Sequence, residues 1–362
     1  MSKRIYGIDV LRIGSMLGVI ILHILGHGNI LYTTDSGLGF TIANLLNIIA
    51  YPAVNCFVLI SGFVGYRDDR YYPKIKSVLS LFLTVLFYSV IICIIFKVFY
   101  PDIIDANAVI GSCFPVLSSR YWFFSKYILM ILVSPMLNCF VHKANNKMLT
   151  ITFYLIFLFT FLSMFNLINF DNGFSFLWFI MLYLIGAITK KLNLVDKVPF
   201  SKSTVLIVVS VLITFVTKIG LHFSGISLPF ISEDMFLSYS SITMLVYSVA
   251  LLLVFAKLNI NKTMKMIISF LSPTAFSVYL IHDNIYVREM MIKDRFSFVN
   301  NYNEITMIFM ILGFAVAIFI CCAFIDRVRI LIFKAVHVDE FLDKVEVLIK
   351  NKVNSLLDKV NY

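Results

Sequence analysis

Two side chains in the first apolar segment have the chemistry that a transfer reaction at a hydroxyl requires. Arg12 and His23 are eleven residues apart, which on an α-helix is a rise of roughly 16 Å and places both on one face. An arginine binds phosphates through paired N–H donors, and a histidine can take a proton from an attacking hydroxyl. The pair would suit a thioester donor that comes from the cytoplasm.

The same two residues also have an ordinary structural interpretation. Arg12 lies near the expected inner headgroup level, where a long cationic side chain reaches water and anchors a helix. His23 can form a hydrogen bond between packed helices. The spacing alone does not decide between these interpretations, and both stay open at this point.

A second polar group ends a later apolar segment, where Asp283 follows His282. An adjacent carboxylate can orient a histidine, but sequence neighbours on a helix point about 100° apart. We therefore expect an acceptor-side or structural role for His282, with Asp283 beside it. Trp122 also has two interpretations, a ring in the interfacial aromatic belt or a surface that stacks on a sugar.

The composition indicates what kind of framework must position these side chains. Of the 362 residues, 60% are hydrophobic and 14% are charged, whereas a soluble domain is about half apolar and about a quarter charged. The surplus apolar surface must face lipid. The net charge of +10 does not indicate nucleic acid as a partner, because Lys and Arg are scattered between apolar runs. The six cysteines show no zinc pattern, so we expect no metal.

Apolar runs long enough to cross a bilayer recur along the whole chain. A spanning helix needs about 20 mostly apolar residues, so we expect an all-α integral membrane fold with about ten transmembrane helices. The runs begin near Ile8, Thr41, Ile75, Trp122, Met148, Phe174, Thr204, Phe236, Met266 and Ile305.

The basic residues predict how these helices are oriented. With the N-terminus inside, the outer side keeps only seven of the 30 Lys and Arg residues, which are Lys97, Arg120, Lys126, Lys218, Arg288, Lys293 and Arg295. Since cytoplasmic loops are enriched in Lys and Arg, we expect a multi-pass protein of the plasma membrane, surrounded by its lipids, with both termini in the cytoplasm.

The C-terminal segment differs from the rest of the chain. We divide the sequence into a transmembrane domain, residues 1–335, and a cytoplasmic tail, residues 336–362. Apolar residues recur at helical spacing among Lys, Asp and Asn in this tail, which is typical of an amphipathic helix on a membrane surface. Docking onto a partner protein is the alternative.

Four segments, in order along the chain, resemble the acyltransferase-3 family of membrane O-acyltransferases. Each segment is weakly specific alone, but together they cover most of the chain in the family's order. They are Arg4-x-x-x-x-Asp9-x-x-Arg12 followed by His23, Pro52–Phe63 with Ser61-Gly62, Tyr121–Phe124 followed by Pro135–Asn138, and Phe276–Asn284 with His282-Asp283.

This resemblance implies a roughly ten-helix enzyme that moves an acyl group, usually acetyl, from cytoplasmic acyl-CoA. The acceptor that it implies is a hydroxyl of a surface polysaccharide or a lipid-linked glycan. The family's essential Arg and His fall on Arg12 and His23, which we expect to be catalytic, with Arg12 also binding the donor. Acetyl-CoA is then a donor substrate, and no permanently bound cofactor is expected. Trp122, His282 and Asp283 are the residues that we expect to meet the acceptor.

One departure from the family pattern leaves part of the donor site open. The family often has an Arg-x-x-Arg pair at the cytoplasmic start of the third transmembrane helix. Here Arg67 and Arg70 have that spacing but directly follow the second transmembrane segment, whereas Lys74 and Lys76 lie at the start of the third. Either pair can bind the phosphates of coenzyme A, and ordinary topology charges are an equal alternative.

Two other classes of membrane protein compete with this interpretation. A transporter of a glycan or lipid would often show paired, broken helices in two related halves and ionisable residues near the midplane. The sequence has no such internal pairing. A scaffold within a glycan-assembly complex would use the C-terminal tail as its docking element.

Overall fold

The computed structural model describes residues 4–33, 36–67, 75–226 and 231–360, with side chains as far as residue 352. Within these residues the chain is all-α and contains no strand. Its α-helices are α1 Tyr6–Leu25, α2 Gly37–Ala50, α3 Ala53–Gly65, α4 Ile75–Phe99, α5 Ala106–Cys113, α6 Trp122–Lys143, α7 Asn146–Ser163, α8 Phe176–Lys191, α9 Leu194–Lys197, α10 Phe200–Ser224, α11 Ile242–Ala256, α12 Lys262–Leu271, α13 Ala275–His282, α14 Ile285–Val287, α15 Glu304–Ala335 and α16 Val338–Val360.

Eight membrane spans in the described residues are long and apolar enough to cross a bilayer. Two of them are broken helices, α2 with α3 and α12 with α13. Pro52 lies in the first break and Pro273 in the second. Proline interrupts a helix because it has no backbone N–H to donate to the helical hydrogen bonds. The remaining apolar helices α8 and α11 have 16 and 15 residues. The chain is thus a multi-pass membrane protein, and the count of about ten spans stays a prediction.

Helix α1 lies at the centre of the bundle. It packs against α2, α3, α11, α13 and α15, and its Ile20, Ile24 and Leu25 are fully buried. By contrast, α7, α10 and α15 expose large apolar side chains along much of their length. In a membrane protein such apolar faces meet lipid, so α1 is separated from lipid by its neighbours.

Helices α3 and α8 approach each other closely at two glycines. A Cβ at Gly62 would overlap the carbonyl oxygen of Tyr183, and a Cβ at Gly186 would overlap that of Leu59. Small residues let helix backbones approach in this way. The Ser61-Gly62 pair therefore serves helix packing, and Ser61 Oγ donates to the carbonyl of Phe57.

The tail predicted to be an amphipathic helix forms α16. Its Leu342 is buried, and Lys76 of α4 contacts Asp343 at 2.9 Å and Asp339 at 3.6 Å. The helix thus packs against the start of α4. Its contact with a membrane surface or a partner stays a prediction.

We predict that Gly62→Ala and Gly186→Ala each destabilise the protein by about 1–3 kcal/mol, since the added methyl group forces α3 and α8 apart. Thermal unfolding of the purified protein in lipid nanodiscs measures this. Gly313→Ala in α15 is the matched control, because a Cβ there has no heavy atom within 4 Å. Equal melting temperatures for all three variants would contradict the close packing of α3 and α8.

Candidate active site

A cavity of about 780 Å³ lies at the end of the bundle where α1 ends, which is the predicted outer side. Its size falls within the range of about 300–1,000 Å³ that is usual for ligand pockets. His23, Asp283 and Arg288 are polar members of its wall. Aromatic rings make up much of the remainder, among them Tyr51, Phe57, Trp122, Phe174, Tyr239 and Tyr279.

Two histidines from distant parts of the chain are hydrogen-bonded at this site: His23 lines the cavity, and His282 is buried beside it. His282 Nδ1 lies 2.6 Å from the carbonyl oxygen of Val278, and a carbonyl only accepts, so this nitrogen carries the proton. The Nε2 atom of a neutral His282 is then an acceptor, and it lies 3.1 Å from His23 Nδ1. His23 therefore donates from Nδ1, and its Nε2 atom is unprotonated. These hydrogen positions follow from the hydrogen-bond partners.

Asp283 completes the group from the other side. Its Oδ1 atom lies 3.7 Å from His23 Nδ1 and accepts a hydrogen bond from Arg288 Nη1 at 3.1 Å. The carboxylate is only 3% exposed, so it needs a cation beside it, because a buried unpaired charge is costly. As helix geometry predicts, Asp283 does not pair with its neighbour His282. Both side chains reach His23 instead.

His23, His27 and Asp283 present donor atoms within 4.8 Å of one another, which raises the question of a metal ion. One feature of the cluster opposes a metal ion. Arg288 donates to the carboxylate oxygen of Asp283, and its positive charge would repel a cation there. The donor set therefore fits a proton-transfer site better than a metal site.

Arg12 lies at the opposite end of α1, in a second polar network. Its Nη1 atom donates to Asp9 Oδ1 at 2.6 Å and to Ser272 Oγ at 3.0 Å. Arg4 contacts the other oxygen of Asp9 at 2.6 Å. The Arg12 side chain remains 30% exposed, so it lies at a boundary that water can reach.

The two ends of α1 contact the same short segment of the chain. Arg12 bonds to Ser272 at the break between α12 and α13, while His23 bonds to His282 at the end of α13. The chain from Ser272 to His282 therefore contacts the face of α1 that carries Arg12 and His23, and their eleven-residue spacing predicted that the two side chains share this face. The structure brings His23, His282 and Asp283 together and leaves Arg12 on the predicted cytoplasmic side.

Trp122 begins α6 and lines the cavity. Its ring lies 4.6 Å from that of Phe174 and 6.5 Å from that of Tyr239, measured between centroids. Trp122 thus lies among other aromatic rings in the cavity wall, and its role as a surface that stacks on a sugar stays a prediction.

A group of charged residues lies at the rim of the same cavity. Lys218 contacts Glu233 and Asp234, each at 2.9 Å. The hydrogen bond from Lys218 lowers the pKa of Glu233 below its ordinary value, so this carboxylate is ionised at neutral pH. One lysine thus contacts two carboxylates at the rim, and Glu233 is not poised to donate a proton.

The residues expected to bind the donor lie in a different place. Lys76 lines a cleft of about 880 Å³ between α4, α13 and α16. Phe276 lines both this cleft and the cavity that holds His23. Arg67 directly follows Tyr66 after the end of α3. Arg70 and Lys74 lie outside the described residues, so the choice between the two pairs stays open.

Three further polar residues support the site, and the sequence indicated only one of them by its charge. Tyr121 donates to the carbonyl of Leu280 at 3.0 Å and accepts from Asn284 at 2.8 Å. These bonds hold the end of α13, where His282 and Asp283 lie. Arg288, counted before only as an outer basic residue, is the partner of Asp283. Two segments that resemble the same family, the one that begins with Tyr121–Phe124 and the one that spans Phe276–Asn284, are thus in contact.

The fold and the site define a class: a multi-pass, all-α membrane protein with an imidazole group poised for proton transfer in a ligand-sized cavity. A family model described as an acyltransferase domain matches residues 5–326, nearly the whole chain. The chain belongs to this family, acyltransferase-3, and is a membrane acyltransferase. Membership does not favour the transporter alternative. No curated protein and no solved structure matches the chain.

We predict that His282→Leu lowers kcat for acyl transfer by about 10- to 100-fold, the range typical of a partner that orients a functional imidazole. The KM for the donor should change little, because the hydrogen bonds of His282 are to His23 and the Val278 carbonyl and not to the cations expected to bind the donor. Steady-state kinetics of the protein in nanodiscs measures both constants.

His282→Gln is the matched variant, since its side-chain oxygen can still accept from His23 Nδ1. We expect the logarithm of its kcat to lie at least halfway from the value for His282→Leu to the value for the wild type. If the Leu and Gln variants lose the same activity, His282 does not act by orienting His23. The same conclusion follows if KM rises while kcat stays unchanged.

Proposed function

We propose that this membrane acyltransferase is an O-acyltransferase of the cell envelope and that acetyl is the group it transfers. The donor is cytoplasmic acyl-CoA, and the acceptor is a hydroxyl of a surface polysaccharide or a lipid-linked glycan. One observation carries the proposal. The unprotonated Nε2 atom belongs to a histidine in the wall of a ligand-sized cavity, where it can accept the proton of a hydroxyl.

The chemistry that this arrangement supports is direct transfer from a thioester to a hydroxyl. His23 Nε2 takes the hydroxyl proton while the hydroxyl oxygen forms a bond to the thioester carbonyl carbon. The C–S bond then breaks, and the thiolate leaves with the proton from the His23 imidazolium. An ester and a free thiol result, so the step needs no oxidant, reductant or water.

Asp283 supports the charged intermediate of this reaction. When His23 gains its second proton, the carboxylate 3.7 Å from its Nδ1 atom stabilises the imidazolium, and the attraction is stronger in a poorly hydrated site than in water. Arg288 keeps that carboxylate in position through its bond to Oδ1. His282, Asp283 and Arg288 are thus positioning residues, whereas His23 touches the reacting atoms.

The proposal has the donor enter from the predicted cytoplasmic side. Both hydrogen bonds of Arg12 use its Nη1 atom, and a guanidinium has five N–H donors, so Nε and Nη2 remain for phosphate oxygens in this part of the described chain. The cleft lined by Lys76 is separated from the His23 cavity by Phe276. A donor in the cleft and an acceptor in the cavity would therefore meet near that ring.

We predict that His23→Asn abolishes acylation of the surface glycan, with a loss of at least about 100-fold, the usual contribution of a general base. Asparagine keeps a donor near the position of Nδ1, so the contact with His282 and the fold are retained, but it has no basic nitrogen. Mass spectrometry of glycans from cells with and without each variant measures the acyl content and also identifies the acyl group.

The control is the same substitution at another histidine, His337→Asn, which lies outside the membrane spans with a side chain 70% exposed. Asparagine also tolerates the positive φ of 55° found there. This variant should acylate normally. Normal acylation by His23→Asn, at equal protein levels in the membrane, would refute the mechanism.

A further inference from the structure

A second cleft lies beside the candidate active site on the same end of the bundle. It has a volume of about 690 Å³ and lies between the connection that joins α7 to α8 and the connection that precedes α11. Tyr51, Phe174, Asp234 and Leu237 line both this cleft and the His23 cavity. The two spaces therefore share a wall and adjoin each other.

Amide and hydroxyl groups dominate the lining of this second cleft, which we call the amide groove. Its polar side chains include Ser163, Asn166, Asn169, Asn172, Ser232 and Ser238. Among the described residues that line it there is no Lys, Arg or His. Its one carboxylate, Asp234, contacts Lys218 at 2.9 Å, and the same ammonium also contacts Glu233. The groove therefore offers hydrogen bonds and no cation of its own.

This lining selects one kind of ligand. Amides and hydroxyls both donate and accept hydrogen bonds, so they match the hydroxyls of an uncharged sugar. A phosphate or carboxylate would meet no cation in the groove, although such anions are normally bound by Arg or Lys. An acyl chain would bury these polar side chains without partners, which is unfavourable.

The two walls of the groove are held together by contacts that do not involve a ligand. Gly173 lies against Tyr239 so closely that a Cβ on the glycine would overlap the Tyr239 side chain. Ser163 Oγ donates to the carbonyl of Ser240 at 3.3 Å, and Asn55 Nδ2 donates to that of Tyr239 at 2.8 Å. The groove is thus formed in advance, which lowers the entropic cost of binding.

Two asparagines present their side chains from unusual backbone positions. Asn166 and Asn172 have φ angles of 58° and 50°, in the left-handed region that costs a non-glycine residue energy. Both side chains are exposed in the groove rather than buried in a packing contact. Asn169 differs, because its Oδ1 atom accepts from the backbone N–H of Asp171 at 2.7 Å and supports the loop itself.

We propose that the amide groove is a second saccharide subsite, so that the acceptor is an uncharged chain of at least two sugar units. One unit presents its hydroxyl to His23 in the cavity, and the next lies in the groove against Asn166 and Asn172. This inference rests on the proposed function and adds the length and charge class of the acceptor.

The experiment measures how the transfer rate depends on acceptor length. The glycan whose acyl content depends on this protein is released from cells, stripped of ester-linked acyl groups with mild base, and cut into fragments of one, two, three and four sugar units. Each fragment is offered with radiolabelled acyl-CoA to the full-length protein in nanodiscs. We expect kcat/KM to rise by about tenfold or more from one unit to two or three, the gain expected from a few added hydrogen bonds.

The double variant Asn166→Gly with Asn172→Gly removes both amides and keeps the left-handed backbone, which glycine adopts without strain. It should lose most of the gain with length and keep the wild-type rate on the single unit, which also shows that it is folded. Asn193→Gly is the matched control, an exposed asparagine with φ of 53° between α8 and α9.

The outcomes separate the two proposals. If the wild type acylates the fragments with no dependence on length, or if the double variant keeps the full dependence, the second subsite is wrong and the proposed function stands. If the sugar units of the fragments that are acylated carry charge, the assignment of an uncharged acceptor is wrong. If the wild type acylates no fragment of any length, the proposed function fails and the subsite fails with it.

Discussion

The hydrogen bond between His23 Nδ1 and His282 Nε2 is the contact on which the arrangement of the site depends. It joins residues 259 positions apart, one at the end of α1 and one at the end of α13. The Val278 carbonyl fixes its direction, because it accepts from the other nitrogen of His282. A neutral imidazole carries one N–H, so this chain of bonds assigns the proton in both rings. The same bond that packs two helices leaves His23 with one basic nitrogen.

The cost of polar groups inside a membrane explains why both ends of α1 carry networks rather than single residues. A charged or polar side chain within a span is stable only with partners. Arg12 is paired with Asp9 and Ser272 at one end, and Asp283 with Arg288 at the other. Between them α1 is mostly apolar, and about half of its residues are buried. The fold thus holds a cationic group and a basic group apart on one helix face, which suits a reaction whose donor and acceptor approach from opposite sides.

Much of the fold follows from the sequence because lipid imposes a simple rule on length and apolarity. The predicted runs at Ile75 and Trp122 begin where α4 and α6 begin. The breaks at Pro52 and Pro273 were not predicted as helix ends, although proline is the signal, because each lies within a continuous apolar run. Helices α8 and α11 are shorter than the rule requires, and their burial among other helices is a tertiary property that hydropathy does not report.

Less of the site follows from the sequence, and the reason is again physical. Helical periodicity relates residues within one segment, so it predicted the common face of Arg12 and His23. Periodicity does not indicate which helices are neighbours. The structure was therefore needed to find the bond from His23 to His282 and the pairing of Arg288 with Asp283. The amide groove was also beyond prediction, because its asparagines and serines lie in two loops that are separate in sequence.

The protonation of His23 tests this account most directly. Nitrogen NMR of the protein in nanodiscs, with isotopically labelled histidine and the His23→Asn variant to assign the signal, reports which imidazole nitrogen carries the proton at neutral pH. The account predicts a neutral ring with the proton on Nδ1 and a free Nε2 atom. A His23 protonated on Nε2, or on both nitrogens, would contradict it.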